Sequence, residues 1–230
     1  MKLSAIIISL SLLFALPSTS NATDITENIV QDTTWTSAGN PWTIQTDIQV
    51  YPGIKLTIEP GVEVVIHIGA SLIIGGTLDA RGQQGNLIIF KSNLTIPAVN
   101  QPAGLVFKNT AESANYSGDD QPVFSYDYVN REVKLTYLSG SVLEYCQFSG
   151  LSTAVELNNA YPYLSNNHII NCPYGIKIYA GRDIPIPQWF FLNHNTIENC
   201  SEQAVFVNFN FSGNYYFPFA LFTGNIIQNN

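Results

Sequence analysis

Short runs of alternating apolar and polar residues, each closed by glycine or proline, fill the chain from Asp47 onward. KLTIEPG, VEVVIHIG and NLIIFKS are typical, and all are rich in Ile, Val, Leu or Thr. Runs of this kind predict β-strands that end in tight turns. No segment beyond residue 22 shows a convincing 3.6-residue period, so the pattern predicts an all-β protein. Segment 24–31, DITENIVQ, suits a short helix or an opening strand equally.

The second half of the chain repeats itself. Three alignment columns run through LEYCQFSG, LSNNHIIN, LNHNTIEN and FTGNIIQN. They hold Leu143, Leu164, Leu192 and Phe222; then Cys146, Asn167, Asn195 and Asn225; then Phe148, Ile169, Ile197 and Ile227. The steps between repeats are 21, 28 and 30 residues. Such periods in short strands without intervening helices predict strands stacked turn upon turn.

Stacking gives these columns a physical role. One turn cannot bury its apolar face alone, but stacked turns share a continuous core, with parallel strands about 4.8 Å apart. Asn167, Asn195 and Asn225 are expected to form a ladder of side-chain amides, with Cys146 as a small substitute at its first step. Because asparagine tolerates left-handed backbone, we also expect these asparagines to make the sharp bend between strands.

The motifs of the first half resemble those of a known family. LTIEPGVEVVIHIGASLIIGGTLDARG at 56–82 and NLIIFKS at 86–92 are similar to the opening coils of secreted right-handed parallel β-helix proteins, the pectate-lyase-like solenoids. AGLVF at 103–107 and SVLEYCQF at 141–148 match the next two elements of that family. The resemblance implies a right-handed parallel β-helix over about residues 33–230. It leaves the activity open, because one fold carries many functions.

Residues 109–140 interrupt the repeats with a polar stretch and then an alternating one, which predicts an inserted loop and a projecting hairpin. We therefore divide the chain into a signal peptide (1–22), an N-terminal capping segment (23–46) and a single β-helix domain (47–230). The chain stops at Asn230 inside a repeat. From this we expect either a shortened chain or a last edge that another molecule covers.

Residues 1–22 have the three parts of a secretory signal. Lys2 supplies the positive start, 5–16 the apolar stretch, and 20–22 the small residues of a cleavage site. The apolar stretch is shorter than the roughly 20 residues that a membrane-spanning helix needs. We expect cleavage after Ala22 and a secreted, extracellular or cell-surface protein with no later transmembrane segment. The periplasm and an uncleaved anchor are the alternatives.

Composition narrows the classes of function. Hydrophobic residues make up 46% of the 230, which excludes a disordered acidic tail. Nine basic residues against seventeen acidic ones give a net charge of −8, which argues against nucleic acid as a partner. Only 11% of the residues are charged. This low share is typical of a solenoid that faces water with Asn, Thr, Ser, Gln and Tyr.

Two aromatic segments follow strands of successive repeats: YAGRDIPIPQWFF after GIKI, and NFNFSGNYYFPFAL after AVFV. Because they occupy the same place in neighbouring turns, we expect them to project side by side. Their candidate ligand-binding residues are Tyr179, Trp189, Phe209, Phe211, Tyr215 and Tyr216. Aromatic faces beside a few polar groups suit sugar rings. The simpler alternative is that these rings pack on one another and shield the solenoid.

Glu156 and Lys177 fall at the same outward position of neighbouring turns, about one strand spacing apart. With Arg182 and Asp183 they are weak candidates for a catalytic site. The resemblance to pectate lyases implies a cationic base, here Lys177 or Arg182, groups that neutralise a uronate, and calcium held by acidic residues. A surface ion pair between Glu156 and Lys177, worth less than about 1 kcal/mol, is the simpler interpretation.

Other catalytic and metal sites have weaker support. The GHG element of polygalacturonase-type relatives does not occur in the sequence. The adjacent carboxylates Asp119 and Asp120 fall in the insertion, where a turn or weak calcium ligation suits them better than catalysis. His168 and His194 are out of register, so we expect no shared metal site and treat them, like His67, as solvated histidines. We therefore expect no cofactor, with calcium as the alternative.

Cys172 and Cys200 share a further column and should stack in neighbouring turns. Burial as small apolar groups is the expected arrangement, and a disulfide between them stays open. Glycosylation sequons, which matter only if the host glycosylates, begin at Asn93, Asn115, Asn199 and Asn210.

These observations together predict a secreted or cell-surface β-helix that acts as a binding or structural module. Its stacked aromatic loops are expected to contact carbohydrate, either a polysaccharide or a cell-surface glycan. A pectate-lyase-like polysaccharide enzyme and the N-terminal part of a longer adhesin are the alternatives.

Overall fold

A computed structural model describes residues 22–94, 104–116, 125–127, 132–134, 137–181, 189–209 and 219–230. Within these ranges the chain consists of short strands, numbered in chain order, and one 3-10 turn at Ser37–Gly39. Most of the strands belong to three long parallel sheets, and four belong to the insertion.

The three sheets are built from strands that follow one another in rotation. Sheet 1 contains β2 (Thr33–Trp35), β5 (Lys55–Ile58), β8 (Thr77–Arg81), β15 (Val142–Glu144), β18 (Tyr163–Ser165), β21 (Trp189–Asn193) and β24 (Phe219–Thr223). Sheet 2 contains β1 (Thr23–Ile25), β3 (Trp42–Ile44), β6 (Glu63–Ile66), β9 (Ile88–Ser92), β16 (Cys146–Ser149), β19 (His168–Ile170), β22 (Thr196–Glu198) and β25 (Ile226–Gln228). Sheet 3 contains β4 (Ile48–Val50), β7 (Leu72–Ile74), β10 (Leu105–Phe107), β17 (Thr153–Asn158), β20 (Tyr174–Ala180) and β23 (Gln203–Phe209).

From β2 onward the chain passes through sheets 1, 2 and 3 in that order, and each such passage is one coil. The coils are 1 (33–50), 2 (55–74), 3 (77–107), 4 (142–158), 5 (163–180) and 6 (189–209). We number residues 219–228, which contain strands of sheets 1 and 2, as coil 7. Strands of successive coils pair in parallel, as β16 does with β19 and β17 with β20. The predicted all-β fold, a parallel β-helix, is confirmed.

The core lies inside the coils, where every second residue of a strand points inward. In β6, for example, Val64 and Ile66 are buried while Glu63 and Val65 are partly exposed. Inward residues stack in columns from coil to coil, because the pairing is parallel and in register. Phe90 and Phe148 are fully buried neighbours whose rings stack at 5.0 Å between centroids.

The residues that share a column in the sequence alignment lie opposite one another in the structure. Leu164 lies opposite Leu143 on one side and Leu192 on the other. In the same way Ile169 lies between Phe148 and Ile197. The repeat alignment therefore assigned the register of sheets 1 and 2 in coils 4 to 7.

The insertion adds two antiparallel ladders, β11 (Asn115–Tyr116) with β14 (Tyr137–Ser139) and β12 (Ser125–Asp127) with β13 (Glu132–Lys134). The second is the predicted hairpin. The first brings Tyr116 and Tyr137 against Tyr163 and Phe191 of sheet 1, in an aromatic cluster separate from the main core. The insertion thus covers part of the outer face of sheet 1.

Segment 24–31 is an opening strand and not a helix. Its residues Asp24 and Ile25 belong to β1, which pairs with β3 of sheet 2. Farther on, Ile29 forms an isolated parallel bridge with Val50. The helical alternative fails because Ile29 buries its side chain against the first coil.

Candidate binding face on sheet 3

Asparagine side chains link the coils at the bend between sheets 1 and 2. The Nδ2 of Asn167 donates to Oδ1 of Asn195 at 3.0 Å, and the Nδ2 of Asn195 donates to Oδ1 of Asn225 at 3.1 Å. Each of these Oδ1 atoms also accepts the backbone N–H of the preceding asparagine. Cys146 begins the ladder, since its N–H donates to Oδ1 of Asn167 at 2.9 Å.

The ladder asparagines do not make the bend itself. The left-handed backbone belongs to the residue before each of them: Tyr145 (φ 49°), Asn166 (φ 54°), His194 (φ 52°) and Gly224 (φ 61°). The prediction that one asparagine serves both purposes was therefore wrong. The ladder residue must turn its amide inward to reach the next coil, and the sharp turn falls one position earlier.

A second asparagine column lies at the bend between sheets 2 and 3. Asn171, Asn199 and Asn229 all have φ near 55°. The residue after the last of them, Asn230, accepts the N–H of Cys200 through Oδ1 at 2.8 Å. The Asn-Cys dipeptides that begin at residues 171 and 199 are the sequence signal for this column. The sequence analysis recognised a column for the cysteines but not for the asparagines before them.

The three cysteines are free and buried. Burial raises the pKa of Cys172 to about 12 and that of Cys200 to about 11, so both are thiols at neutral pH. Cys146 is buried in the same way, and its pKa is raised too. The cysteines pack as small apolar groups, and Cys172 and Cys200 are not joined by a disulfide.

Two columns of outward side chains define the candidate site on coils 4 to 6. Strand pairing places Glu156, Lys177 and Phe206 in one column and Asn158, Tyr179 and Asn208 in the other. Tyr174, at the start of β20, lies beside these columns, and the ammonium group of Lys177 is positioned over its ring. We call these seven residues the sheet 3 face.

Aromatic and polar groups are interleaved on this face. The Nζ of Lys177 lies 3.6 Å from the ring centroid of Tyr174, a cation–π contact. The rings of Tyr179 and Phe206 are 5.7 Å apart and tilted by 59°. The face therefore presents rings and hydrogen-bonding groups side by side on a regular sheet.

The expected ion pair between Glu156 and Lys177 is not formed, although the two residues are direct neighbours in register. Among the residues that the structure describes, Glu156 accepts a hydrogen bond from Nδ2 of Asn158 at 3.0 Å, and Lys177 turns to Tyr174. These two contacts can replace the ion pair, because an exposed ion pair contributes little free energy. Partial burial and the nearby Glu156 carboxylate raise the pKa of Tyr179, which keeps its hydroxyl protonated.

The remaining site candidates are only partly covered by the structure. Trp189 begins β21 in sheet 1, and Phe209 ends β23 in sheet 3, so their backbones flank the two aromatic segments. The other candidates lie outside the described residues; they are Arg182, Asp183, Phe211, Tyr215 and Tyr216. The structure thus brings together Glu156, Lys177 and Tyr179. It adds Asn158, Tyr174, Phe206 and Asn208, none of which the sequence singled out as a ligand contact.

The histidines are not simply solvated. His168 contacts Oε1 of Glu198 through Nε2 at 2.7 Å on the outer face of sheet 2. The ring of His194 lies against Gly224, where an added Cβ would be 2.6 Å from Cδ2 of that ring. Within the described ranges, no group of three His, Cys, Asp or Glu side chains has the arrangement of a metal site. Asp119, Asp120 and Asp183, on which the calcium prediction rests, lie outside those ranges.

Glu198 gives the fold an acid-sensitive contact. Hydrogen bonds from Gln228 (2.8 Å) and His168 lower the pKa of its carboxyl below the usual value. Its stabilising contribution is therefore present above the unfolded-state pKa, about 4.3, and is lost as the pH falls through the folded-state value. We expect Glu198→Gln to lower Tm at pH 7 and to leave it nearly unchanged near pH 2.

Thermal unfolding followed by circular dichroism at both pH values measures this effect. Glu59→Gln is the control, because Glu59 is an exposed carboxyl at a turn. A Tm difference between wild type and Glu198→Gln that stays the same across this pH range would contradict the assignment.

The fold and the face together define a class of protein, a parallel β-helix solenoid that displays an ordered polar and aromatic surface. A sequence profile described as "Right handed beta helix region" matches residues 83–230, more than half of the chain. The chain therefore belongs to the right-handed β-helix family. No curated protein and no solved structure matched the chain. Within the described ranges, no helix has the length and apolarity needed to cross a membrane.

Proposed function

We propose that this protein is a secreted or cell-surface binding module that holds a polysaccharide against the sheet 3 face. The single observation that supports the proposal best is that aromatic side chains on coils 5 and 6 lie in register with polar side chains on coils 4 to 6. The placement outside the cell rests on the signal-like pattern of residues 1–22.

The chemistry of the face suits sugars. Tyr174, Tyr179 and Phe206 offer rings on which the apolar face of a pyranose can pack. Asn158 and Asn208, in line with the Tyr179 hydroxyl, offer amide donors and acceptors for sugar hydroxyls. Successive coils are about 4.8 Å apart, which is close to the length of one sugar ring. A linear polysaccharide that runs along the solenoid axis would meet polar groups on coil 4, the rings of Tyr174 and Tyr179 on coil 5 and the ring of Phe206 on coil 6.

Rigidity favours binding by such a surface. Strand pairing on both sides holds β20 between β17 and β23, so the backbone loses little freedom when a ligand arrives. Tyrosine and phenylalanine side chains each have only two rotatable angles, which keeps the entropy cost of contact low. A surface prepared in this way binds more tightly than one that must be ordered first.

The experiment is a glycan-array screen followed by calorimetric titration of the best polysaccharide. We expect Tyr179→Ala combined with Phe206→Ala to raise Kd by at least about ten-fold, because aromatic contacts dominate binding energy at such sites. Tyr51→Ala is the matched control, since Tyr51 is an exposed tyrosine just after coil 1, away from the face. A wild-type protein that binds no glycan, or a double variant that binds as well as wild type, would refute the proposal.

A lyase would give a different result in the same assays. Lys177 and Glu156 are neighbours on the face, and a polyuronate cleaved there by β-elimination would yield unsaturated products that absorb in the ultraviolet. Such products in the presence of calcium, abolished by Lys177→Ala, would replace the binding module with an enzyme. Binding without such products supports the module.

A further inference from the structure

The two charged side chains of the sheet 3 face are already engaged within the protein. Nζ of Lys177 lies 3.6 Å from the ring centroid of Tyr174. Oε1 of Glu156 accepts a hydrogen bond from Nδ2 of Asn158 at 3.0 Å. Glu156 and Lys177 are also direct neighbours in register, one strand spacing apart. The face itself therefore carries one charge of each sign, and the two cancel.

The charges at the edges of the face cancel in the same way. Lys108 directly follows β10 and Glu202 directly precedes β23, and both are exposed. From residue 203 to residue 230 the sequence contains no Asp, Glu, Lys or Arg, and the whole chain has a net charge of −8. A polyanion therefore meets no excess of positive charge among the described residues of the face, and the rest of the molecule repels it.

The position of Lys177 makes it a poor partner for an acidic sugar. An ammonium that leaves the Tyr174 ring to bind a ligand carboxylate gives up a cation–π contact. The bound carboxylate would then lie near Glu156 on the neighbouring strand. At low ionic strength, two like unit charges about 5 Å apart lower affinity about four-fold even at the dielectric constant of water. Lys177 thus offers a uronate little net attraction.

Glu156 is prepared to bind an uncharged hydroxyl instead. Its Oε1 is held by Asn158, and among the described residues the structure shows no hydrogen-bond partner for its Oε2. The side chain is only partly buried, so a ligand can reach this oxygen. A carboxylate oxygen accepts a hydrogen bond from a hydroxyl, and such charge-assisted bonds are about twice as strong as neutral ones.

The groups beside Glu156 also suit hydroxyls better than carboxylates. Asn158 and Asn208 lie on either side of Tyr179 in the second column of the face. A carboxamide donates and accepts hydrogen bonds, and so does a tyrosine hydroxyl. Partial burial, and then the charges of Glu156 and Tyr174, raise the pKa of Tyr179, so its hydroxyl stays protonated and adds no charge. This column is therefore polar and neutral.

We propose that the sheet 3 face selects a neutral polysaccharide, whose sugars carry hydroxyls but no carboxylate, sulfate or phosphate, and that Glu156 sets this preference. Glu156 accepts a hydrogen bond from a sugar hydroxyl, and its negative charge disfavours an acidic sugar at the same position. The inference rests on the proposed function, because it names the class of polysaccharide that the face binds. It differs from the polyuronate that the resemblance to pectate lyases implies.

The experiment compares calorimetric titrations with neutral and acidic oligosaccharides of equal length. The neutral set is cellohexaose, xylohexaose, laminarihexaose and maltohexaose, and the acidic set is hexagalacturonate and hexamannuronate. We expect the best neutral ligand to bind at least about ten-fold more tightly than either acidic one. Its Kd should change less than about two-fold between about 50 mM and about 500 mM sodium chloride, because no net charge is paired on binding.

The variant Glu156→Gln keeps the shape of the side chain and removes its charge. It should raise the Kd of the neutral ligand at least about five-fold, through the loss of a charge-assisted hydrogen bond. It should also narrow the difference in affinity between neutral and acidic ligands. Glu59→Gln, at an exposed turn outside the face, is the matched control and should change neither value. Unchanged thermal unfolding would show that Glu156→Gln remains folded.

The outcomes separate this inference from the proposed function. Tightest binding to an acidic ligand, with a Kd that rises steeply with salt, would overturn the inference and leave the binding module in place. A Glu156→Gln variant that binds the neutral ligand as tightly as wild type would do the same. Failure of every ligand to bind, or binding unaffected by Tyr179→Ala combined with Phe206→Ala, would refute the proposed function and the inference together.

Discussion

Replacing Phe148 by alanine is expected to lower the free energy of unfolding by about 3 to 5 kcal/mol. Phe148 is fully buried in sheet 2, with its ring stacked on Phe90 of the coil below. On its other side it lies opposite Ile169 of the next coil. Its removal therefore leaves a cavity between two neighbours that are themselves fixed by backbone pairing, and the coils cannot close the gap.

Urea unfolding followed by circular dichroism gives this free energy. Phe148→Leu keeps most of the volume and should cost less than Phe148→Ala. Phe206→Ala is the matched control, because Phe206 is a partly exposed residue on the sheet 3 face and should cost less than about 1 kcal/mol. Equal losses for Phe148→Ala and Phe206→Ala would contradict a core that is closed at coils 3 to 5.

Replacing Asn195 by alanine should destabilise the protein by at least about 3 kcal/mol. Its Oδ1 accepts from both N–H groups of Asn167, and its Nδ2 donates to the Leu164 carbonyl at 3.0 Å and to Asn225. Asn195 is 2% exposed. The variant would leave several buried donors and acceptors without partners, which costs more than the loss of one ordinary hydrogen bond.

The same unfolding measurement applies, with Asn208→Ala as the matched control on an exposed position of β23. Asn167→Ala combined with Asn195→Ala should cost less than the sum of the single changes, because the two amides share hydrogen bonds. Strict additivity, or a loss no larger than that of Asn208→Ala, would show that the ladder does not act as one network.

The columns were predictable because they depend on only two rules, the two-residue period of a strand and the repeat of the coil. In each repeat a leucine (Leu143, Leu164 or Leu192) precedes a buried Cys or Asn at the same spacing along the chain. Parallel pairing then places the three leucines opposite one another. Insertions between coils change the steps of 21, 28 and 30 residues but do not alter this local spacing.

The left-handed residues were harder to predict because the position accepts different side chains. Tyr145, Asn166, His194 and Gly224 share the conformation but no chemical feature. What these positions share is a sharp reversal of the backbone before the ladder residue, and the side chains of Tyr145, Asn166 and His194 are partly or fully exposed. Asparagine at 166, histidine at 194 and glycine at 224 are residue types enriched in this conformation, whereas tyrosine at 145 is not.

The direction of the Lys177 side chain explains why the predicted ion pair with Glu156 does not form on the sheet 3 face. The register of strands β17 and β20 places Glu156 beside Lys177. A long, flexible lysine side chain, however, can contact any of several neighbours, and these contacts differ little in free energy. The ring of Tyr174 provided one that the strand pattern did not reveal. Contacts between partly exposed charges depend on such small differences and cannot be read from spacing alone.

The most direct test of the central claim is a crystal structure of the protein with an oligosaccharide derived from the best ligand in the glycan screen. The account predicts sugar rings against Tyr174, Tyr179 and Phe206, with the oligosaccharide lying across coils 4 to 6 of sheet 3. Sugar bound elsewhere on the surface, with the sheet 3 face empty at saturating ligand, would contradict it.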